Sequence, residues 1–186
     1  MAEIPLKGIN DYAHYLAPCI LMVIIGMTST SSVSLSLEGK SIWILKSLPV
    51  STRTILKSKI LFNLMLQIPV AVICDVLLII ACKPDAITAI LYFVVSLSMC
   101  TLLSVMGMFF GILFVNYEWA NEVQVIKQSM AAFAGIFGSM IVSIVVCVAA
   151  AFLCTSIDGR IVLLLLSVVA SVLAFLLWKV VERRKI

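Results

Sequence analysis

Long apolar runs alternate with short polar segments along the whole chain. The runs cover about residues 15–37, 60–82, 86–115, 131–153 and 161–178. Each is close to or above the roughly 20 residues that a helix needs to cross about 30 Å of hydrocarbon. The pattern predicts an all-α, polytopic transmembrane bundle of about five spans. The second half of the first run, Thr28-Ser29-Thr30-Ser31-Ser32-Val33-Ser34, is rich in hydroxyls. Small hydroxyl residues suit close helix contacts in lipid; a helix end in the interface reads equally well. The second run holds Asn63, Gln67, Pro69 and Asp75. The third carries Gly107-x-x-x-Gly111, and the fourth sets Ala131, Gly135 and Ser139 along one face, both small-residue surfaces for close packing.

Two connecting segments are amphipathic. In residues 38–53, Ile42, Leu45 and Leu48 recur at three-residue spacing, Trp43 and Ile44 widen the apolar face, and Lys40 and Lys46 lie off it. Tryptophan beside lysine suits the membrane–water boundary. Pro49 should end this short helix and Ser51 cap the next. In residues 116–129, Trp119, Val123, Ile126 and Met130 form a second helical stripe along the interface. Lys83-Pro84-Asp85 reads as a tight turn.

Composition narrows the solvent. Apolar residues make up 63% and charged residues 12% of 186, whereas a soluble domain carries about 25% charge to hydrate its surface. The net charge of +4 matters less than its placement. Lys40, Lys46, Arg53, Lys57, Lys59, Lys127, Lys179, Arg183, Arg184 and Lys185 fall on one side of a five-span arrangement, ten of the thirteen basic residues. Lys7, Lys83 and Arg160 fall on the other. The positive-inside rule then puts the N-terminus outside, the C-terminus and both amphipathic segments in the cytoplasm, and the chain in the cell membrane as a multi-pass protein. The first twelve residues contain Glu3 and Asp11 and lack the basic start of a signal peptide.

Several motifs point away from chemistry. Gly39-Lys40-Ser41 resembles the end of a phosphate-binding loop, but position 34 is Ser34 instead of glycine and no buried strand precedes it. His14 is the only histidine, so no metal site is expected. The six cysteines form no C-x-x-C pair; Cys82 and Cys154 fall near span ends on one side, where packing is expected more than a disulfide. Glu118 and Glu122 share a helix face without histidines nearby and read as solvated. The tail from Lys179 suits anionic lipid, and nothing indicates nucleic acid. Asp75, with Gln67 and Asn63 on the same helix, is either a pathway group or a helix–helix hydrogen bond.

Ser36-Leu37-Glu38-Gly39-Lys40 followed by Trp43-x-x-x-Lys46-Ser47-Leu48-Pro49 resembles the cytoplasmic signature of bacterial ABC exporter permeases of the type-2 class. Asn10-Asp11-Tyr12, Trp119-x-Asn121-Glu122 and Lys127-Gln128-Ser129 are similar to that family as well, in order and at compatible spacing. The resemblance implies a single permease domain over residues 1–186. It implies a coupling element, with Glu38, Gly39, Lys40, Trp43, Lys46, Pro49 and Arg53, that docks on a separate cytoplasmic ATPase. It also implies a second cytoplasmic segment with Trp119, Asn121, Glu122 and Lys127. The chain itself would be a transporter subunit, not an enzyme, needing no cofactor. Its five spans would be the second to sixth of a six-helix half-transporter, so another permease half, upstream or as a dimer partner, is expected beside membrane lipids. A substrate-binding membrane module of an uptake system and an intramembrane enzyme are the competing classes. The amphipathic segment at 38–53 disfavours the first, and the lack of histidine near paired carboxylates disfavours the second.

Overall fold

The computed structural model describes residues 6–28, 30–47, 49–116 and 129–183, with the side chains of residues 6–13, 40–42, 45 and 46 outside the description. The described residues are helical or turn, without strands. They form α1 (Leu6–Gly26), a 3-10 turn (Ser36–Ser41), α2 (Ile42–Ser47), α3 (Thr52–Cys82), α4 (Ala86–Leu113), α5 (Met130–Cys154) and α6 (Gly159–Arg183). Helices α3 to α6 are each long and apolar enough to span a bilayer, and His14–Gly26 adds a shorter apolar helix. Helix α4 is the hub, packing on α1, α3, α5 and α6.

The distribution of polarity identifies the solvent. Leu61, Met65, Ile73 and Ile80 on α3 are exposed, while Asn63, Gln67 and Asp75 on the same helix are buried. Helix α5 likewise turns Phe133, Phe137, Ile141 and Phe152 outward and Ser139 and Ser143 inward. Water would reverse both arrangements. Lipid favours them, since the apolar surface meets acyl chains and polar side chains turned inward can bond across helix contacts. The chain is therefore a polytopic helical membrane bundle.

Local chemistry sets the helix ends. The Ser51 hydroxyl accepts from the Thr54 amide at 3.3 Å and starts α3 there, so this helix begins eight residues before the apolar run. Lys83, in the left-handed region at φ 46°, closes α3 by donating its amide to the Ile79 carbonyl at 2.9 Å. Ser129 caps α5, accepting from the Ala132 amide at 3.1 Å. Helix α6 continues through Arg183, so most of the expected basic tail is helical. Pro18 inside α1 has no amide hydrogen to give His14, four residues back. The Tyr92 hydroxyl from α4 donates to that freed carbonyl at 2.7 Å. Cys154 is buried beside Cys19 and Cys82 is exposed; neither is bonded.

The principal correction concerns the first run, expected as one span over 15–37. Helix α1 stops at Gly26, and residues 30–35 are non-helical although Ser31, Ser32, Val33 and Leu35 are buried. Non-helical backbone at membrane depth persists only where protein surrounds it and satisfies its polar groups. Here Thr28 Oγ1 donates to the Ile25 carbonyl at 2.7 Å, and Ser34 Oγ to the Ser31 carbonyl at 2.9 Å. Space comes from the small-residue faces of α4 and α5. A Cβ at Gly111 would lie 2.7 Å from the Ser32 carbonyl oxygen, and one at Gly135 would overlap the Ser32 side chain. The small residues thus admit a strand of backbone as well as a neighbouring helix.

Candidate functional site

The buried face of α3 runs through Leu56, Ile60, Asn63, Gln67, Ala71 and Asp75. The last four are spaced by four, so they stack along one line of the helix. This line meets the interrupted segment and α4. Asn63 is fully buried and central. Its Oδ1 accepts from the Thr30 amide at 3.0 Å and from Thr30 Oγ1 at 2.7 Å, and its Nδ2 donates to Ser104 Oγ at 2.8 Å. Ser104 Oγ in turn donates to Gln67 Oε1 at 3.0 Å, while Ser31 Oγ donates to the Ser104 carbonyl at 3.0 Å. One hydrogen-bonded chain therefore ties the interrupted segment to α3 and α4.

Farther along, Ser96 Oγ on α4 donates to Asp75 Oδ1 at 2.9 Å. Gln67 Nε2 and Asp75 Oδ2 are buried and have no hydrogen-bond partner among the described residues. Buried polar atoms are paired in the great majority of cases, so this line offers one spare donor and one spare acceptor inside the bundle. An open cavity of about 550 Å³ lies on the other side of the interrupted segment. Thr30, Val33, Ser34 and Lys59 are among its walls, so it adjoins the network at Thr30.

The amphipathic element at 36–47 is kinked at Gly39, whose φ of 48° and ψ of −128° favour glycine over any L side chain. The 3-10 turn precedes the kink and α2 follows it, with Trp43 and Ile44 exposed. Glu38 is engaged within the chain. Lys59 Nζ contacts its Oε1 at 2.6 Å and the Ser34 carbonyl at 2.9 Å, with both side chains largely buried. This ion pair fastens the element to α3 one turn from Asn63. The Asn116 amide, just past α4, donates to Ser36 Oγ at 3.2 Å. Arg53 Nε meets Glu182 Oε1 at 3.0 Å, joining the start of α3 to the end of α6 while leaving Arg53 mostly exposed. Pro49 is exposed beyond the end of α2. The side chains of Lys40 and Lys46, and the whole of Trp119, Asn121, Glu122 and Lys127, lie outside the described residues.

Sequence reasoning put Asn63, Gln67 and Asp75 on one helix; it missed Thr30, Ser31, Ser96 and Ser104 as their partners. The hydroxyl-rich run signalled hydrogen bonding across a contact, but nothing in the order of residues names the acceptor. His14 lies at the other end of the bundle, in a cavity of about 490 Å³ with Tyr15, Cys82, Lys83, Pro84, Asp85 and Thr88. The Asp85 carboxylate there pairs with Arg160. No cluster of three or more histidine, cysteine, aspartate or glutamate side chains suited to a metal occurs among the described residues.

Lipid-facing apolar surfaces, a buried polar line and an interrupted first helix define the class: a multi-span helical membrane protein with a polar interior. The chain belongs to the family described as membrane protein of 12 TMs, whose model matches residues 14–180. No curated protein and no solved structure matches it.

Proposed function

We propose that this chain is a membrane permease subunit of an ATP-driven ABC exporter. It would couple a cytoplasmic ATPase to substrate movement through the polar interior. The supporting observation is the Lys59–Glu38 pair, which links an exposed, kinked amphipathic element to the helix that carries Asn63, Gln67 and Asp75. In transporters, interrupted helices whose unwound backbone lines a site at membrane depth are a recurrent way to bind and release substrate.

The mechanism follows from these connections. The ATPase docks on the element at 36–47 through Trp43 and its basic residues, with ATP hydrolysed in the partner. Displacement of the element pulls on α3 through Glu38 and Lys59, and on the end of α4 through Ser36 and Asn116. The non-helical residues 30–35 yield first, because fewer backbone hydrogen bonds hold them than hold a helix. Movement of Thr30 away from Asn63 frees the amide of Asn63, and with Gln67 Nε2 and Asp75 Oδ2 it forms a polar path for substrate. The family's description counts twelve spans, and two six-helix halves make twelve. A further permease half therefore completes the unit. The basic end of the bundle faces the cytoplasm in the cell membrane.

Co-purification tests the coupling. A cytoplasmic ABC ATPase co-expressed with the full chain should be retained with it, and both Trp43→Ala and Lys46→Glu should weaken retention. An ATPase that never associates with the wild-type chain would end this reading.

A further inference from the structure

A second open cavity, of about 580 Å³, lies outside the polar interior, on the lipid-facing surface where α3, α4 and α6 meet. Its polarity changes along its length. One end holds Thr54, Lys57 and Ser58 from the first turns of α3. The other end is walled by Ile60, Leu61 and Leu64 of α3 and by Val105 and Thr101 of α4, the threonine giving its hydroxyl to the Ser98 carbonyl. Trp178 of α6 forms a side wall, with Lys57 Nζ 5.8 Å from the centre of its ring. From Thr54 to Leu64 the helix rises about 15 Å. The groove therefore begins before the apolar run, with hydroxyls and a cation at the boundary, and enters hydrocarbon over Ile60 to Leu64.

The charges at the boundary end are not equivalent. Arg53 is engaged with Glu182 and Lys59 with Glu38. Lys57 is exposed and has no carboxylate partner among the described residues. Ser58 Oγ donates to the Ile55 carbonyl and Thr54 Oγ1 is bonded to Ser51 Oγ; both hydroxyls can rotate onto a phosphate held by the Lys57 ammonium, as basic pockets between spans hold anionic headgroups. Tryptophan at such a boundary packs its ring on the acyl chain.

We infer that this groove is a binding site for an anionic phospholipid: phosphate on Lys57, Thr54 and Ser58, one acyl chain between Ile60, Leu64 and Val105 along Trp178. The site rests on the membrane reading and is independent of any ATPase. A bound lipid here would bridge α3 and α6 beside the Arg53–Glu182 and Lys57–Trp178 contacts and the packing of Val181 with Leu56 and Ile60.

Tryptophan quenching provides the test. The full chain carrying Trp43→Phe and Trp119→Phe, so that Trp178 is the sole tryptophan, is placed in phosphatidylcholine nanodiscs. Bromine-tailed phosphatidylglycerol or bromine-tailed phosphatidylcholine is added at equal mole fraction. Half-maximal quenching should need about five-fold less of the anionic lipid, the gain expected of one basic residue near the surface. Lys57→Gln should abolish that preference and Lys57→Arg keep it. Lys179→Gln, which removes a charge from the same end outside the groove, should leave it intact. Equal quenching by both lipids overturns the inference. So does equal loss in Lys57→Gln and Lys179→Gln, which would mean general surface attraction. Absence of quenching by either lipid also overturns it, since another protein segment would then fill the groove.

Discussion

Helices α3 and α6 both pack on α4 and are both long and apolar, yet the first buries amide and carboxyl side chains and the second mainly apolar ones. Helix α6 buries Val162, Leu163, Leu166, Ala170 and Ala174, and its hydroxyls turn back on themselves: Ser167 donates to the Leu164 carbonyl and Ser171 to the Ser167 carbonyl. Nothing on its buried face asks for a particular partner. Helix α3 buries an asparagine, a glutamine and an aspartate, and all three make hydrogen bonds to other elements. A polar side chain inside a bilayer is costly to bury unpaired, so the α3 surface demands one arrangement of its neighbours. The α6 surface tolerates many. The contrast divides the bundle into a side held by apolar packing and a side held by specific hydrogen bonds.

Substitutions can break or sharpen that contrast. The largest effect is expected from Gly135→Val, which closes the space occupied by Ser32 and should cost about 3 kcal/mol through overpacking; unfolding in detergent would measure it. Asn63→Leu follows, at about 2 kcal/mol, because it strands the Thr30 amide and leaves Ser104 without its donor. Asp75→Asn should shift stability by less than about 1 kcal/mol, since Ser96 can still donate to the side-chain oxygen. If Asp75 serves the pathway, export should nevertheless fall; transport at the wild-type rate by a stably folded Asp75→Asn protein removes that role. Ser167→Ala on α6 should stay within about 0.5 kcal/mol, its hydroxyl having only its own helix to lose. A Ser167→Ala cost equal to that of Asn63→Leu would erase the distinction between the two helices.

The helices were legible because lipid writes a simple rule: long runs without charge must be spans. The small residues of α4 and α5 were legible as close-packing faces for the same reason. The break after Gly26 was not. Apolar residues continue through Val33, Leu35 and Leu37, and serine is as acceptable inside a membrane helix as outside one, so the pattern holds no stop signal. What ends the helix is tertiary: the cleft left by Gly111 and Gly135, and the amide of Asn63 waiting 33 residues away for Thr30. The pairing of Glu38 was illegible for a similar reason: Lys59 lies 21 residues away in the chain, and only the fold brings the two together.

The break has a further bearing on how the protein is made. The residues that follow Gly26 leave the helix although they are buried, so their backbone groups lack the bonds within one segment that hydrocarbon demands. The clefts at Gly111 and Gly135 that shelter the following residues are synthesised later. Stable burial of residues 30–35 is therefore expected to wait for α4 and α5, making the completion of this segment a late event in an otherwise sequential process.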